Sequence, residues 1–230
     1  RQRSNGSWAY FQEHRSTGSM TCAGIASLII VESKLATTDA SLQGTTIQCC
    51  GQTAMGNQID RGLNWLGKNF EIEENPKAGA YFWYYYLYGL ERVGRLAGRR
   101  LIGGQDWYRK GATVLVRGNY QAPQGYWEGK GHAERSPVVA TSLALLFLSK
   151  GRRPVVISKA QHGKSFDWDM HRNGIPHLVR RTEKAWRKDL TWQTVSLRVA
   201  SLNDLRKTPV LFISGRQPLQ LTAEQKRNLR

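Results

Sequence analysis

Cysteine is scarce in this chain of 230 residues, and the few that occur exclude a disulfide-rich scaffold. The three cysteines are Cys22, Cys49 and Cys50. Neighbouring cysteines rarely bridge one another, and the chain has no C-x-x-C pair that would bind zinc. Cys22 lies in an apolar stretch, so we expect it to be a small buried residue.

Apolar runs long enough to cross a bilayer are also missing. The longest runs, Met20–Val31 and Val138–Leu148, have 12 and 11 residues, whereas a membrane-spanning helix needs about 20. Both runs are therefore predicted to be strongly buried helices. The chain starts at Arg1 rather than at Met, so it carries no information on targeting signals.

Several patterns that support catalysis are absent. Residues 1–150 offer no paired carboxylates suited to acid catalysis: Glu71, Glu73 and Glu74 cluster beside Asn75-Pro76 and indicate a solvated loop, and Asp106 and Glu128 are isolated. No cysteine nucleophile occurs after Cys50. There is no Gly-x-Ser-x-Gly elbow. The glycines of Gly125–Gly131 lack the Ser or Thr that completes a phosphate-binding loop. The sequence therefore predicts no catalytic residue and no cofactor.

Positive charge, in contrast, is in excess, with a formal net charge of +17. Residues 151–230 hold 17 basic and 6 acidic residues, whereas residues 1–150 hold 17 and 11. This uneven distribution places a compositional boundary near Lys150. A basic surface of this kind favours nucleic acids, anionic lipids or acidic proteins as partners.

An internal repeat is the most informative feature of the first 150 residues. Gly6-Ser-Trp8 recurs as Gly125-Tyr-Trp127, and each copy precedes a run of small and apolar residues that begins at Thr21 or Thr141. The offset is 119 at the tryptophans and 120 at the threonines. A repeated unit of this kind predicts helical repeats that bury their faces against one another.

The predicted fold is mainly α over residues 1–150, followed by the beginning of an α/β domain with a parallel sheet over residues 151–230. We expect the first part to be almost wholly helical, whereas strands and helices alternate in the second. Further helices are predicted at Gln58–Phe70, Ala80–Ala97, Gln105–Arg117, His177–Asp189 and from Thr222, and strands at Pro154–Ile157, Trp192–Val199 and Pro209–Gly215. The strands Val155–Ile157 and Val210–Ile213 should be parallel neighbours.

Three segments within residues 81–127 resemble a known family. Tyr84–Arg92, Gly104–Tyr108 and Gly125–Trp127 look like the repeats of the α/α toroid shared by terpenoid cyclases and protein prenyltransferases, including the prenyltransferase and squalene oxidase repeat. The resemblance implies that residues 1–150 are the C-terminal part of such a toroid. The resemblance leaves the cell envelope and the cytoplasm both open as the location.

Residues 154–230 are similar to the start of a bacterial domain of unknown function, which resembles the class I glutamine amidotransferase-like fold. Trp192, Leu205, Pro209 and Leu211–Gly215 carry this similarity. The two resemblances together imply that the chain belongs to a longer protein, whose remainder would be a partner of this part.

An aromatic cluster supplies candidates for the wall of a toroid cavity. The candidates are Tyr81, Trp83, Tyr84, Tyr85, Tyr88 and Trp107. Their π faces could hold an isoprenoid or stabilise a cation. The favoured alternative is a core helix, because aromatic residues on every side of a helix cannot all face one cavity.

Two polar groups of residues in the second part are further candidates. Asp169, His171 and His177 could bind a metal, although glycine and proline around them are typical of an ordinary polar loop. A basic stretch could bind an anionic partner or simply be a solvated face; its residues are Arg180, Arg181, Lys184, Arg187 and Lys188.

The function predicted from these features is a non-catalytic repeat scaffold or binding module joined to an α/β domain of unknown role. The first alternative is an enzyme like squalene cyclase or prenyltransferase, acting on isoprenoid lipids with catalytic residues elsewhere in a longer chain. The second alternative is a basic module for an anionic partner. A lipid or a protein is the expected partner, and the absence of nucleic-acid-binding motifs disfavours DNA and RNA.

Overall fold

The computed structural model describes residues 1–35, 41–43, 46–48, 54–150, 153–163, 166–169, 171–215 and 217–229. Cys49, Cys50 and Gly151, the first residue of the predicted second part, lie outside these ranges. The chain forms two compact units. Unit 1 comprises Arg1–Glu32 and Ala54–Arg152, and unit 2 comprises Ser33–Thr53 and Arg153–Arg230.

Unit 1 is built mainly from five helices. They are α1 (Gly18–Leu35, whose last three residues fall in unit 2), α2 (Ala54–Lys68), α3 (Trp83–Leu96), α4 (Trp107–Arg117) and α5 (Pro137–Lys150). Its core consists largely of aliphatic and aromatic side chains from these helices, with Tyr86, Leu87, Leu90 and Phe147 fully buried. The helical prediction is confirmed for Met20–Val31 and Val138–Leu148, which lie in α1 and α5.

The expectation that residues 1–150 are almost wholly helical is wrong. Long loops occupy residues 1–17, 69–82 and 118–136, and two short antiparallel hairpins are present. One hairpin pairs β1 (Ser41–Gln43) with β2 (Thr46–Gln48) and belongs to unit 2; the other pairs β3 (Leu101–Ile102) with β4 (Gln105–Asp106). Gly103 and Gly104 close the second hairpin with φ values of +60° and +79°, a conformation that glycine adopts at little cost.

The two apolar helices are also less buried than their composition predicts. In α5, Ala140, Ala144 and Phe147 are fully buried, but Val138 is 75% exposed and Leu145 is 52% exposed. Helix α1 is long and apolar enough to cross a membrane by composition. However, Cys22 and other residues of α1 belong to the core of unit 1, so one face of α1 packs inside the unit although its outer face is also apolar.

Unit 2 contains a three-stranded parallel sheet in the order β6-β5-β7. The strands are β5 (Val155–Gln161), β6 (Thr191–Ser196) and β7 (Val210–Phe212), and α6 (Gly174–Trp186) connects β5 to β6. Two short helices, α7 (Leu202–Leu205) and α8 (Ala223–Asn228), follow β6 and β7. Strands β5 and β7 pair in parallel, Ile157 opposite Val210, so the predicted strand neighbours are confirmed.

The core of unit 2 is small. Ile175 and Val179 of α6 pack against Ile157 and Leu190. A buried polar network accompanies it, since Gln193 donates a hydrogen bond to Ser158 at 2.9 Å and Thr208 bonds Ser158 at 2.8 Å. These bonds satisfy polar groups that the sheet buries. The described residues therefore form a mixed α and β structure, with helices and a small parallel sheet.

Candidate functional site

The two copies of the repeat have the same local structure. Gly6 and Gly125 adopt φ values of +93° and +89°. The N–H groups of Trp8 and Trp127 donate to the hydroxyl oxygens of Thr21 and Thr141, at 3.2 and 3.0 Å. The sequence repeat therefore has a structural counterpart, because both tryptophans lie in the loop before their helix and make the same backbone contact.

A glutamine in each copy is a related feature that the sequence analysis missed. The side-chain amide of Gln2 donates to the carbonyl of Gly6, and that of Gln121 donates to the carbonyl of Gly125, at 2.9 and 2.8 Å. The repeated unit is thus Gln-x-x-x-Gly-x-Trp. The signal was present in the sequence, because both glutamines lie at the same offset of 119 as the tryptophans.

A cavity of about 930 Å³ lies within unit 1, a size within the range of ligand-binding sites in proteins. The N-terminal turns of α1, α3 and α5 contribute to it through Ser19, Tyr85 and Val139. Aromatic and aliphatic side chains form much of its wall, with polar groups at a few places. The complete lining is Tyr10, His14, Arg15, Thr17, Ser19, Met20, Asn75, Ala78, Tyr81, Phe82, Tyr85, Ala133, Glu134, Val139 and Leu143.

The six aromatic candidates are divided between the cavity and other environments. Tyr81 and Tyr85 line the cavity and are partly exposed. The indoles of Trp83 and Trp107 and the ring of Tyr84 are buried in the core; the indole N–H groups donate to the carbonyls of Ile72 and Arg99.

Tyr88 does not line the cavity; it receives a hydrogen bond from Arg92, whose guanidinium lies 5.7 Å from the Tyr88 ring centre. Within α3, Tyr85 thus lines the cavity, whereas Tyr84 and Leu87 are buried in the core. Burial raises the pKa of the Tyr84 and Tyr86 hydroxyls well above their ordinary value.

Glu134 is the buried carboxylate of this cavity, and its sequence context did not predict that role. It is 1% exposed, and its Oε1 accepts a hydrogen bond from the backbone N–H of Tyr85 at 2.7 Å. Since the first N–H groups of a helix have no partner within the helix, Glu134 caps α3 from a distant loop. Burial raises the pKa of the Glu134 carboxyl, and the N–H groups of the first turn of α3 oppose that shift.

The carboxylate of Glu134 can approach α3 because residue 129 is glycine. A Cβ at Gly129 would lie 2.9 Å from Glu134 Oε2 and 3.0 Å from the Tyr84 ring. A similar cap serves α1, where the side-chain oxygen of Asn75 accepts from the N–H of Ser19 at 2.9 Å. Both caps come from loops that are distant in sequence, so local motifs could not reveal them.

The carboxylates that the sequence singled out in residues 1–150 have other roles. Asp106 accepts a hydrogen bond from the N–H of Arg109 and so caps α4; it also pairs with Arg100 at 3.4 Å. Glu128 is exposed. Neither residue lines the cavity.

The candidate metal residues do not form a cluster. Asp169 is paired with the buried Lys159 at 2.7 Å and with Arg172 at 2.9 Å. His171 is exposed, and His177 lies on α6. Across the described ranges, no three His, Cys, Asp or Glu side chains come together in a way that could hold a metal ion.

The basic stretch Arg180–Lys188 lies along α6 and just beyond its end. All five of its basic candidates are exposed, whereas Ile175 and Val179 on the opposite side are buried. Trp186, the last residue of α6, is 62% exposed. The structure therefore places these residues on a single exposed basic surface of unit 2.

Comparison with known proteins identifies no similar protein. The chain matches no protein-family model, no curated protein and no solved structure. The geometry of the cavity and of the basic surface is consequently the basis for any functional conclusion.

Proposed function

We propose that unit 1 is a non-catalytic binding module of the α/α toroid type, and that its cavity holds an apolar ligand of the isoprenoid class. The observation that carries the proposal is the cavity itself, which combines π faces of Tyr81, Phe82 and Tyr85 with the aliphatic side chains of Val139 and Leu143. Such walls bind hydrocarbon through the hydrophobic effect. The two Gln-x-x-x-Gly-x-Trp copies share the same local geometry, which supports a toroid built from repeats.

The raised pKa and the hydrogen bond of Glu134 favour ligand binding over catalysis of cyclisation. Protonating an alkene requires an unusually strong acid, but burial raises the pKa of Glu134 and makes it a weaker one. Its Oε1 is also engaged by the N–H of Tyr85. The carboxylate is thus placed to stabilise α3 rather than to start a reaction.

A matched pair of tyrosines on α3 tests the binding site. Tyr85 lines the cavity, and Tyr88, one turn further on, does not. We expect farnesol, an isoprenoid alcohol, to bind the chain in isothermal titration calorimetry, and Tyr85→Ala to weaken binding about tenfold through loss of one aromatic contact. Tyr88→Ala should leave the affinity unchanged.

Filling the cavity is an independent test. Ala133→Phe places a large side chain in the cavity wall and should abolish farnesol binding while circular dichroism remains unchanged. Equal affinity in Tyr85→Ala, Tyr88→Ala and Ala133→Phe would show that the cavity is not the binding site. Dodecanol serves as a straight-chain competitor, and preference for farnesol over dodecanol is expected of an isoprenoid site.

The enzymatic alternative is tested with substrates. The chain is incubated with squalene, and separately with a prenyl diphosphate plus magnesium or zinc, and products are sought by gas chromatography and mass spectrometry. We expect none. Turnover that disappears in Glu134→Gln or Asp106→Asn would replace the binding module by an enzyme.

A further inference from the structure

The cavity of unit 1 has an arginine in its wall, carried by a loop that is anchored on both sides. Arg15 lines the cavity and is exposed, so it lies at the mouth rather than in the depth of the cavity. On one side of it, the guanidinium of Arg3 donates a hydrogen bond to the carbonyl of His14. On the other side, the hydroxyl of the buried Ser16 accepts from that of Ser7 at 2.6 Å. The backbone around Arg15 is therefore held in place before any ligand enters.

Glu134 belongs to the same cavity wall, but its carboxylate does not pair with Arg15. Its Oε1 accepts a hydrogen bond from the N–H of Tyr85 at the start of α3, where the helix dipole favours a negative charge. Its Oε2 has almost no accessible surface and lies beside Gly129. Across the described residues, Arg15 forms no ion pair. The charge of Arg15 is thus accessible to a molecule that enters the cavity.

Several other polar side chains of the wall are already bonded to one another. The hydroxyls of Thr17 and Ser19 lie 3.1 Å apart, and the side-chain amide of Asn75 donates to the hydroxyl of Ser19 at 3.0 Å. Elsewhere the wall is apolar, with Val139 and Leu143 among its members. The cavity therefore combines an apolar interior with a cation at its mouth, which suits an amphiphile with an acidic head group.

A single guanidinium suits a head group with a single negative charge. Its planar fork of N–H donors pairs with a carboxylate through two parallel hydrogen bonds. A diphosphate carries several negative charges, and among the described residues of the wall the basic side chains are those of Arg15 and His14, with no lysine or second arginine. Since an unpaired charge is costly in an apolar site, the wall favours a carboxylate over a diphosphate.

We infer that the ligand of this cavity is a long-chain carboxylic acid, and that Arg15 is the residue that selects it. The carboxylate pairs with Arg15 at the mouth, while the hydrocarbon chain lies against the aromatic and aliphatic wall, which includes Tyr85 and Leu143. The inference rests on the proposed function, because it adds an acidic head group to the apolar ligand of the same cavity. Isoprenoid acids and straight-chain fatty acids share this chemistry.

Farnesoic acid and farnesol have the same hydrocarbon chain and differ in the head group, so their affinities isolate the contribution of the carboxylate. In isothermal titration calorimetry at neutral pH, we expect the acid to bind about tenfold more tightly than the alcohol. Arg15→Gln should remove this difference by weakening the acid alone. Arg15→Lys should keep part of it, because an ammonium group retains the charge but not the fork. Added salt should weaken the acid and leave the alcohol unchanged.

Arg135 provides a control matched in charge. It is exposed, lies next to Glu134 in the corresponding loop of the second repeat copy, and does not line the cavity. Arg135→Gln therefore removes the same charge and should leave both affinities unchanged. An equal loss of acid binding in Arg15→Gln and Arg135→Gln would mean that overall charge governs binding, and would overturn the inference.

The outcomes distinguish this inference from the proposed function. Equal affinity of the parent chain for farnesoic acid and farnesol would overturn the carboxylate and leave the apolar site in place, whereas binding of neither would overturn both. Farnesyl diphosphate that binds more tightly than farnesoic acid, and loses this advantage in Arg15→Gln, would replace the carboxylate by a diphosphate. Dodecanoic acid that binds more tightly than farnesoic acid and depends on Arg15 would support the head group and assign the tail to a straight chain.

Discussion

The two copies of the Gln-x-x-x-Gly-x-Trp unit share their backbone hydrogen bonds but differ in how they are packed. Trp127 is 5% exposed and its indole N–H donates to the carbonyl of Leu115 in α4. Trp8 is only partly buried, and its indole lies against Gly24 of α1 and Gly62 of α2. The same local turn can therefore support two different tertiary contacts.

The loops that follow the tryptophans differ as well. In the second copy, the loop carries Glu134, which caps α3. The corresponding place in the first copy holds His14 and Arg15, which are exposed. All three residues line the same cavity. The repeat thus fixes the position of the loop, whereas the residue at that position determines whether it stabilises a helix or faces a ligand.

Replacing the tryptophans should give the largest effects and the clearest difference between the copies. We expect Trp127→Ala to lower the free energy of unfolding by about 3 to 5 kcal/mol, because it empties a buried site. Trp8→Ala should cost about 2 kcal/mol, since less apolar surface is lost. Urea denaturation measures both, and equal losses would contradict the difference in packing.

Alanine substitutions at Gly6 and Gly125 distinguish the cost of backbone strain from the cost of a steric clash. Both have positive φ, but a Cβ at Gly6 would lie 2.3 Å from the carbonyl oxygen of Arg61, whereas a Cβ at Gly125 would meet nothing within 4 Å. Gly125→Ala should therefore cost about 1 kcal/mol from strain alone. Gly6→Ala should cost about 3 kcal/mol because backbone must also move. Thermal unfolding of the two variants should preserve this order; the reverse order would refute the geometry.

Substituting Thr21 and Thr141 tests whether the equivalent hydrogen bonds of the two copies contribute equally to stability. Thr21→Val and Thr141→Val each remove the oxygen that accepts from the tryptophan N–H. Each change should cost about 1 kcal/mol. Losses that differ by more than about 1 kcal/mol would show that the two hydrogen bonds are not equivalent.

Glu134→Gln should have the smallest effect on stability near neutral pH, because the amide oxygen can still accept from the N–H of Tyr85. Its pH dependence is more informative. Burial raises the pKa of Glu134 in the folded chain, so its contribution is fully present below the pKa of the unfolded chain and is lost as the pH rises through the folded value.

Denaturation at several pH values measures this difference. The parent chain should lose stability with rising pH across that window, whereas the Glu134→Gln variant should show a flatter curve. Glu128→Gln, in the same loop but exposed, is the control and should leave the slope unchanged. A parallel shift of both variants would mean that Glu134 does not titrate as described.

Much of the local structure followed from the sequence. The offset between Trp8 and Trp127 predicted equivalent turns, and the β-branched and apolar segments around Ile157 and Val210 predicted adjacent parallel strands. The two apolar runs Met20–Val31 and Val138–Leu148 located α1 and α5. These features depend on residues that are close in sequence or that share a regular spacing, so a single chain carries the signal.

Tertiary structure decided which of these residues meet. Glu134 reaches the N-terminus of α3 from a loop 49 residues away, and Asn75 reaches Ser19 across 56 residues. Of six aromatic candidates, two line the cavity, namely Tyr81 in the loop before α3 and Tyr85 on α3 itself. In the same way, Arg153 binds both Glu183 and Asp189, and among the residues that the structure describes the α6 cations have no acidic partner. Composition determined how much charge and aromatic surface the chain has, but long-range packing determined where each is accessible.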